Sequence, residues 1–431
     1  MNSIWYDNFK MQEFEQLEGD IATDVLIIGG GLCGILCAYM LKNAGVDCVV
    51  AEADRICSGI TGCTTAKITL QHGLIYNKII NKYGLESAEL YYKSQKEALE
   101  KYQELAKTIQ CDFEFSDSVV YSLDDRAIIE NEISAFDKIG GKAEFITETE
   151  LPFSVLGAVK VKNQAKFHPL KFVSEIAKSV KIYENTKVTE LRPDGAITDK
   201  GKIKAKKIIV ATHFPFINMH GAYFMKMYQD RTYVTAVKDA PEMKNMYVDE
   251  AQSGLSFRSH KGLLLLGGGS HRTGEKGEGW NAPENACRQY YPSGYILQKW
   301  ATQDCMTLDS IPYIGQYSKS TPDLYVATGF NKWGMTTSMV AATILRDMIC
   351  DRENEYKSVY APSRTMLHPQ LLVNVFKSVK GLLTLKGPRC PHMGCVLKYN
   401  KQEHSWDCPC HGSRFDGGGK LLDNPATGDK R

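Results

Sequence analysis

Near the start of the chain, the hydrophobic positions predict a strand, a helix and a second strand in close succession. The run Asp24-Val-Leu-Ile-Ile28 is apolar after its first residue, which is typical of a strand buried on both faces of a parallel sheet. It leads into a glycine-rich turn and then into a helix with apolar periodicity that reaches Gly45. The segment Val46-Asp-Cys-Val-Val-Ala-Glu52 predicts the next strand. This order is typical of a βαβ unit in an α/β fold.

Further along the chain, helical and strand patterns are separated into long blocks. Residues 82–110 are helix-periodic and predict a cap over a binding site. Residues 206–212 predict another strand that ends in small residues, and residues of about 220–300 alternate between apolar and polar side chains. That alternation predicts a sheet with two differently exposed faces, beneath a bound cofactor. No internal repeat or low-complexity tract is present.

The glycine-rich turn has the spacing of a phosphate-binding loop. Its pattern is Gly-x-Gly-x-x-Gly at Gly29, Gly31 and Gly34, between the first strand and the helix. Such glycines let the backbone approach a pyrophosphate, whose charge is stabilised at the helix N-terminus. Glu52 follows 18 residues after Gly34, about where a carboxylate binds ribose hydroxyls. The alternative is a glycine-rich turn without a ligand, but the surrounding strand, helix and acid favour dinucleotide binding.

Composition narrows the possible partners and the compartment. The chain has 431 residues, 43% of them hydrophobic, which is enough for two or three globular domains. A net charge of +2 indicates neither a nucleic-acid nor an anionic-membrane partner. The longest uncharged stretch, residues 25–41, contains four glycines and is shorter than the roughly 20 residues of a bilayer span. With no signal peptide visible at residues 1–10, we predict a cytoplasmic protein without a membrane span.

Two short motifs near the C-terminus each combine cysteine with histidine: Cys390-Pro-His392-Met-Gly-Cys395 and Cys408-Pro-Cys410-His411-Gly-Ser413. Folding the motifs together would bring two thiolates and two imidazoles to one point. This set suits a [2Fe–2S] cluster with Cys390 and Cys408 on one iron and His392 and His411 on the other. Zinc is the alternative, although zinc fingers usually group two cysteines and then two histidines.

In these motifs the chain resembles Rieske proteins. The resemblance implies that Cys395 and Cys410 form a disulfide between the cluster loops, and that the Ser413 hydroxyl donates a hydrogen bond to a cluster sulfur. Two free thiols in a reducing cytosol are the alternative for the cysteine pair. Rieske proteins with a high potential often carry tyrosine where this chain has Phe415. The missing hydroxyl therefore predicts a somewhat lower cluster potential.

Several segments before residue 350 form an ordered series of motifs: Ser58-Gly59, Thr61 to Lys67, Lys206 to Thr212, Thr307 to Gly315 and Asp323 to Met335. Together they resemble the FAD-dependent oxidoreductases of the D-amino-acid oxidase and glycine oxidase group, over about residues 20–350. The FAD-binding residues that this resemblance implies are Gly29, Gly31, Gly34, Glu52, Ser58, Thr64, Thr65, Val188, Asp309, Gly329, Gly334 and Met335.

The two resemblances predict the domain organisation. The expected fold is a Rossmann-like α/β FAD-binding domain with a mixed α+β substrate domain, followed by a small all-β Rieske domain. The expected oxidoreductase domain covers residues 1–350, with FAD-binding parts at about 20–80, 155–215 and 300–350 and substrate or cap parts at about 82–155 and 216–300. A linker is expected at residues 351–369 and the Rieske domain at 370–431.

The substrate site departs from the pattern of the amino-acid oxidases. Members that oxidise amino acids usually carry an arginine five residues before the aspartate of an Asp-x-x-Pro motif, where it pairs with the substrate carboxylate. Here that position is Asp304, which favours a cationic amine or a compound without a carboxylate. Arg231 and Arg258 are candidates for a substitute cation, or else ordinary surface charges. His72 is a candidate flavin neighbour, or else a structural histidine.

The sequence therefore predicts an FAD-dependent dehydrogenase of a small amine-like substrate that passes electrons through the cluster to an external redox partner. A second dinucleotide motif is absent from the sequence, so electrons are expected from an organic substrate. A Rieske oxygenase would need a mononuclear iron site, and the required histidine spacing is missing. Two alternatives remain open: a reductase with electrons entering through the cluster, and a non-enzymatic redox sensor or partner protein.

Overall fold

The structure is a computed structural model that describes residues 3–217 and 220–430. Its α-helices are α1 Leu32–Asn43, α2 Tyr76–Tyr83, α3 Leu85–Ala106, α4 Arg126–Lys138, α5 Pro169–Ala177, α6 Tyr223–Lys226, α7 Asn281–Tyr290, α8 Gly334–Ile349, α9 Lys357–Tyr360 and α10 Pro369–Leu383. Its strands are β1 Ile21–Ile28, β2 Cys48–Ala51, β3 Lys67–Ile68, β4 Glu114–Ser122, β5 Glu144–Ile146, β6 Gly157–Lys166, β7 Lys181–Tyr183, β8 Val188–Arg192, β9 Gly195–Thr198, β10 Lys202–Val210, β11 Met227–Lys238, β12 Met246–Asp249, β13 Ser256–His260, β14 Leu263–Arg272, β15 Tyr295–Thr307, β16 Tyr313–Gln316, β17 Leu324–Thr328, β18 Lys398–Asn400, β19 Ser405–Asp407, β20 Arg414–Asp416 and β21 Leu421–Asp423.

The first sheet contains the predicted nucleotide-binding unit. Its strand order is β16-β17-β10-β1-β2-β7, and the strands from β17 to β7 run parallel. Strand β1 is paired at both edges, with β10 and β2, and its side chains from Val25 to Ile28 are buried in two apolar clusters, one on each face of the sheet. Helix α1 connects β1 to β2 and packs against α8. The predicted α/β fold is thus confirmed.

The second sheet contains the strands of residues 216–300 that were predicted as substrate parts, together with β3 to β6. Its strand order is β15-β11-β14-β13-β12-β4-β6-β3, and β5 extends it at β6. The strands β11, β14 and β15 pair antiparallel over long stretches. The predicted alternating segments lie in β11 and β13, and β14 includes the glycine-rich run after Leu266. The predicted cap segment contains the long helix α3.

The C-terminal region adds a small third sheet, with strand order β18-β19-β20-β21. Most of residues 371–389, which precede the first cluster motif, form helix α10, an element that the expectation of an all-β Rieske domain does not include. Pro369 lies in the first turn of α10, where its missing N–H costs nothing.

The predicted linker is packed against the oxidoreductase region. Tyr360 at the end of α9 is fully buried, and its hydroxyl binds the side chains of Ser94 and Gln95 on α3. Arg364 pairs with Asp309 over distances of 3.0 and 3.1 Å. The segment therefore fixes α3 and the turn after β15, and it is not a free connection between domains. In the part of the chain that the structure describes, no helix combines the length and apolarity needed to cross a bilayer.

Candidate functional site

A cavity of about 820 Å³ lies where the first two sheets meet. It is large enough for a cofactor together with a small substrate. Ten of the twelve predicted FAD-binding residues line it: Gly29, Gly31, Glu52, Ser58, Thr64, Thr65, Val188, Gly329, Gly334 and Met335. These residues come from segments more than 300 positions apart in the chain, so the fold brings the ordered motifs together.

The glycine loop at one end of the cavity is shaped by contacts that exclude side chains. A Cβ atom built on Gly34 would lie 1.9 Å from the Gly29 carbonyl oxygen, so this glycine lets α1 pack closely on the loop without lining the cavity itself. Gly29 has a φ of +110°, which strongly favours glycine. Gly31 at the N-terminus of α1 has no side chain to cap the helix, and the Thr61 hydroxyl accepts a hydrogen bond from the Leu32 N–H at 3.0 Å. The loop and helix therefore fit a bound pyrophosphate.

Glu52 lies at the end of β2 and faces the same cavity. One carboxylate oxygen accepts a hydrogen bond from the Gly30 N–H at 2.6 Å, and the other accepts one from the Asp54 N–H at 2.9 Å. Burial raises the pKa of Glu52, while these two N–H groups lower it. The arrangement holds an acceptor at the position expected for a ribose-binding acid.

Asp309 has a different role from the predicted one, because it does not line the cavity. Its carboxylate accepts hydrogen bonds from Arg364 and from the hydroxyl of Tyr83 at 2.8 Å. Burial alone would raise the pKa of Asp309, but the Arg364 guanidinium holds it below its usual value. Asp309 thus joins α2, the turn after β15 and the segment after α9.

The two candidate substrate arginines are both buried and engaged elsewhere, so neither lines the cavity. Arg231 forms an ion pair with Glu403 in the C-terminal region. Arg258 donates hydrogen bonds to the carbonyl oxygens of Thr65, Ala66 and Phe167. The prediction that one of them replaces the missing substrate cation is wrong, and so is the alternative that they are surface charges.

His72 lines the cavity but is held by protein contacts on both ring nitrogens. Nδ1 lies 2.7 Å from the Tyr91 hydroxyl, and Nε2 lies 3.0 Å from the Thr336 hydroxyl. The ring stacks on Trp333. Burial lowers the pKa of His72 to about 3, so the side chain is neutral across the physiological range. These contacts favour a structural histidine in the cavity wall.

Asp304 contributes a negative charge to the cavity wall. Its neighbour across the strands is Asp230, which faces the same side of the sheet. Burial and Asp230 raise the pKa of Asp304 to about 6, although Lys332 opposes the shift. The Lys332 ammonium lies 3.9 Å from Asp230 and donates to Ser270 at 2.8 Å. This part of the cavity therefore holds more negative than positive charge above pH 6.

Lys67 also lines the cavity, although it was not among the predicted FAD-binding residues. It follows the threonine pair after the second strand and lies at the start of β3. Burial and the nearby Arg258 guanidinium lower the pKa of Lys67 to about 7. Its amine thus changes charge near neutral pH, although a single lysine in a polar segment carries no recognisable signal.

The second predicted centre brings both cysteine–histidine motifs together. The His392 and His411 ring centroids are 4.9 Å apart. Contact with the Cys408 thiol and burial raise the pKa of Cys390, which places these two sulfurs side by side. Neither ring nitrogen of His411 has a hydrogen-bond partner among the described residues. Burial lowers the pKa of His411 to about 3, so it is a neutral imidazole, the form that binds metal.

The predicted disulfide partners lie beside these four residues. The sulfur atoms of Cys395, Cys408 and Cys410 all lie within 4.8 Å of one another. Cys395 and Cys410 are free thiols in this structure, so their disulfide stays a prediction. Ser413 is buried and interacts with the Cys390 thiol, next to the predicted cluster. The donor set of two thiols and two neutral imidazoles fits a Rieske cluster.

The second cluster loop packs directly on the second sheet. Gln229 on β11 donates hydrogen bonds to the His411 carbonyl oxygen at 2.9 Å and to the Asn424 carbonyl oxygen at 2.8 Å. Gln303 on β15 donates to the Gly412 carbonyl oxygen at 2.9 Å. A Cβ atom on Gly412 would lie 2.5 Å from the Gln229 Cβ, so the loop backbone approaches the sheet as closely as glycine allows.

Alternation along these two strands gives the sheet two distinct faces. Gln229 and Gln303 face the cluster loop, whereas their sequence neighbours Tyr228 and Asp304 line the cavity. Asp230 and Asp304 are paired across the strands, as are Arg231 and Gln303, which agrees with this assignment of faces. One layer of sheet therefore separates the cavity from the loop that carries His411.

Buried polar groups fix the C-terminal region to the oxidoreductase region. Arg272 on β14 donates to the carbonyl oxygens of Pro409 and Cys410 at 3.1 and 2.9 Å. Glu403 accepts from Arg231 and, at 2.9 Å, from Arg414. Burial alone would raise the pKa of Glu403, but the two arginines lower it to about 2. The pairs formed by Arg272 and Arg231 are not recognisable from sequence, because their partners lie more than 130 positions away in the chain.

Comparisons with known proteins agree with the two sites. The family of FAD dependent oxidoreductases called DAO matches residues 24–348, and the Rieske [2Fe-2S] domain family matches residues 351–430. The chain is similar to YhfW of Bacillus subtilis (strain 168), which is named as a Rieske 2Fe-2S iron-sulfur protein. The identity is 34% over 488 aligned residues, covering 98% of this chain and 96% of YhfW.

Two further similarities concern the oxidoreductase region. Gamma-glutamylputrescine oxidoreductase of Escherichia coli (strain K12) is 27% identical over 219 residues, which cover 47% of this chain and 51% of that protein. The solved structure of glycine oxidase from Geobacillus kaustophilus has a TM-score of 0.68 at 17% identity, covering 80% of this chain and 99% of that chain. The second similarity supports the fold alone. With three quarters of its length matched, the chain belongs to the DAO family of FAD-dependent oxidoreductases, and it carries a C-terminal Rieske [2Fe–2S] domain.

Proposed function

We propose that this protein is a dehydrogenase of a small cationic amine, and that its electrons leave through the Rieske domain to an external acceptor. The observation that carries the electron path is the two-faced sheet formed by β11 and β15. Tyr228 and Asp304 face the FAD cavity, and Gln229 and Gln303 hold the loop of His411 on the reverse face. Only one layer of sheet lies between the cavity and the loop that carries His411, and this closeness supports electron transfer between the two centres.

The cofactors supply the redox chemistry, since FAD accepts two electrons as a hydride and a [2Fe–2S] cluster carries one electron at a time. The protein's own residues bind and orient the two cofactors. The glycine loop and Glu52 are proposed to hold the pyrophosphate and ribose of FAD, and Gly329 and Gly334 border the opposite part of the cavity. Cys390, Cys408, His392 and His411 are the proposed cluster ligands.

The charge of the cavity wall favours an amine. Asp304 occupies the position where amino-acid oxidases carry an arginine, and Asp230 faces the same side of the sheet. Arg231 and Arg258 cannot bind a substrate carboxylate, because both are committed to other partners. Lys332 is already balanced by Asp230 and Ser270. One relative is named as an oxidoreductase of gamma-glutamylputrescine, whose name indicates an amine.

Anaerobic mixing of the purified holoprotein with a substrate panel tests this function. The panel pairs aliphatic amines with the corresponding α-amino acids, so that each pair differs only in the carboxylate. We expect the amines to bleach the flavin absorbance, and the Rieske EPR signal to grow in afterwards. A decay of the flavin absorbance without any cluster signal would disprove the electron path.

The substrate class and the direction of electron flow have separate readouts. Equal rates with both members of each pair would show that Asp304 does not select against carboxylates. A redox titration of both centres gives the direction, because electrons flow spontaneously towards the higher potential. A cluster potential well below that of the flavin would instead favour a reductase that receives electrons through the cluster.

A further inference from the structure

Helix α10 has its apolar side chains on the outside. Gly381 faces inward, where an added Cβ would lie 2.7 Å from the Cys410 sulfur, and Asn374 is buried and bound to Arg272 at 2.9 Å. The opposite face exposes a continuous stripe with i, i+3, i+4, i+7 spacing. We call it the α10 stripe; its residues are Leu372, Val375, Phe376, Val379, Leu382 and Leu383.

The exposure of this stripe is unusual for a protein surface. Phe376 is 67% exposed and Leu383 is 73% exposed, and Leu385 beyond the helix end is 90% exposed. Ordinary surface helices turn such side chains towards the core. A contiguous apolar patch of this kind marks a surface that binds something, because leaving it in water is unfavourable.

The charge around the stripe shows what kind of surface it fits. Between Tyr356 and Gln402 the chain has eight lysines and arginines and no aspartate or glutamate. The net charge of +2 for the whole chain conceals this local excess. Four of these lysines are exposed and form no ion pair with the described residues: Lys380, Lys386, Lys398 and Lys401. Lys377 on α10 forms an ion pair with Glu275, which leaves the apolar stripe flanked by the four unpaired lysines. An apolar stripe with an excess of unpaired cations matches the surface of an anionic lipid bilayer.

A second copy of this chain fits the stripe less well. In a two-fold symmetric dimer the same patch lies on both sides of the interface. Lys380 and Lys386 of the two copies would then face each other without any acid from the same region to balance them. Such like-charge contacts are unfavourable, whereas anionic headgroups supply the missing negative charge.

We propose that the α10 stripe and its flanking lysines dock this protein on an anionic membrane surface. The helix would lie in the plane of the interface, with Phe376 and Leu383 among the acyl chains and the lysines at the headgroups. Because α10 packs against Cys395 and Cys410, docking would bring the cluster loops to the membrane face. This inference does not depend on the proposed substrate or electron path.

Vesicle flotation with the oxidised holoprotein tests the proposal. The probes are vesicles of phosphatidylcholine alone and vesicles in which one third of the lipid is phosphatidylglycerol. We expect binding to the anionic vesicles at 0.1 M salt and much weaker binding at 1 M, because the Debye length falls from about 10 to about 3 Å. The double variant Phe376→Glu with Leu383→Glu should bind at least about tenfold more weakly.

Phe115→Glu is the matched control, since Phe115 is 64% exposed and lies on β4, outside the α10 stripe. It should leave vesicle binding unchanged, and flavin and cluster spectra should be the same in all variants. Failure of the holoprotein to float with anionic vesicles at low salt would overturn the proposal. So would equal losses in the two variants, binding to polyglutamate without binding to vesicles, or a dimer in solution that the double variant dissociates.

Discussion

The FAD cavity and the cluster site are built in opposite ways. The cluster site takes its proposed ligands from two loops within residues 390–411, where four thiols and two imidazoles meet. The cavity is lined by segments spread from Ile28 to Asp429, and much of its surface is backbone and small side chains. We therefore expect the loss of any one proposed ligand to prevent cluster binding. In the cavity many residues together form the binding surface, so most single changes should have smaller effects on FAD binding.

The cysteine ligands should show the largest single-residue effects. Cys408→Ser replaces one of the four proposed ligands with a hard, poorly matched oxygen, so we expect loss of the Rieske EPR signal and of the bound iron. FAD should stay bound, because Cys408 does not line the cavity. EPR, iron analysis and the flavin spectrum measure the three quantities.

Cys287→Ser is the control for this change, because Cys287 is a buried free thiol on α7. It should leave both the iron content and the EPR signal unchanged. A Cys408→Ser protein that keeps a full-strength Rieske signal would show that the ligand assignment is incorrect.

The same contrast explains what the sequence could predict. Each cluster motif, like the glycine loop, is a short continuous segment, so its own residues determine its local geometry. The structure brings the two cluster motifs to one point and places the glycine loop at the cavity. The path from β1 through α1 to β2 was predictable for the same reason, since apolar periodicity and the turn glycines agree. Such elements can be predicted from sequence because their hydrophobic pattern and their turn residues indicate the same local structure.

The contacts between the domains could not be predicted. Glu403 is bound by Arg231 across 172 positions, and Arg272 reaches Cys410 across 138. A charged residue on a strand usually lies at the protein surface. Arg231 and Arg272 are buried in this fold, where they contact the C-terminal region. Helix α10 was not predicted, because the resemblance to Rieske proteins led to the expectation of an all-β domain in this region.

Gly34→Ala tests the shape of the cavity. The new Cβ would lie 1.9 Å from the Gly29 carbonyl oxygen, so α1 or the loop must move. We expect loss of most FAD and a destabilisation of about 1–3 kcal/mol, which is typical of overpacking. Gly417→Ala is the control, because Gly417 does not line the cavity and a Cβ there would make only an ordinary contact, 3.6 Å from the His404 carbonyl oxygen. If the Gly34 variant retained stoichiometric FAD, the close packing would be irrelevant to binding.

Gln303→Leu tests the layer between the two centres. It removes the hydrogen bond to the Gly412 carbonyl oxygen and those that Gln303 makes with Gln229 and Thr273, and it changes no residue that lines the cavity. We expect cluster reduction after substrate mixing to slow by about tenfold, as for the loss of a buried hydrogen bond worth about 1–2 kcal/mol. The rate of flavin reduction should not change, and stopped-flow absorbance separates the two. Equal slowing of both steps would indicate a general structural defect instead.

Asp304→Asn tests the charge on the other face. The raised pKa of about 6 means that Asp304 is ionised above pH 6 and neutral below it. For a cationic substrate, KM should therefore rise as the pH falls through 6, while kcat changes little. The asparagine variant should show a pH-independent KM, raised about tenfold at pH 8, which corresponds to about 1.4 kcal/mol. An unchanged pH profile would remove Asp304 from substrate binding.

Phe415→Tyr should have the smallest effect, because it changes one hydroxyl in the buried apolar cluster that surrounds the cysteines. If the hydroxyl reaches a cluster sulfur, its hydrogen bond favours the reduced state and the cluster potential rises. If it finds no partner, the potential stays constant and the protein loses about 1–3 kcal/mol of stability from an unsatisfied buried group. Redox titration and thermal unfolding of the same variant therefore separate the outcomes, and Phe415→Leu, which lacks the hydroxyl, controls for the change in packing.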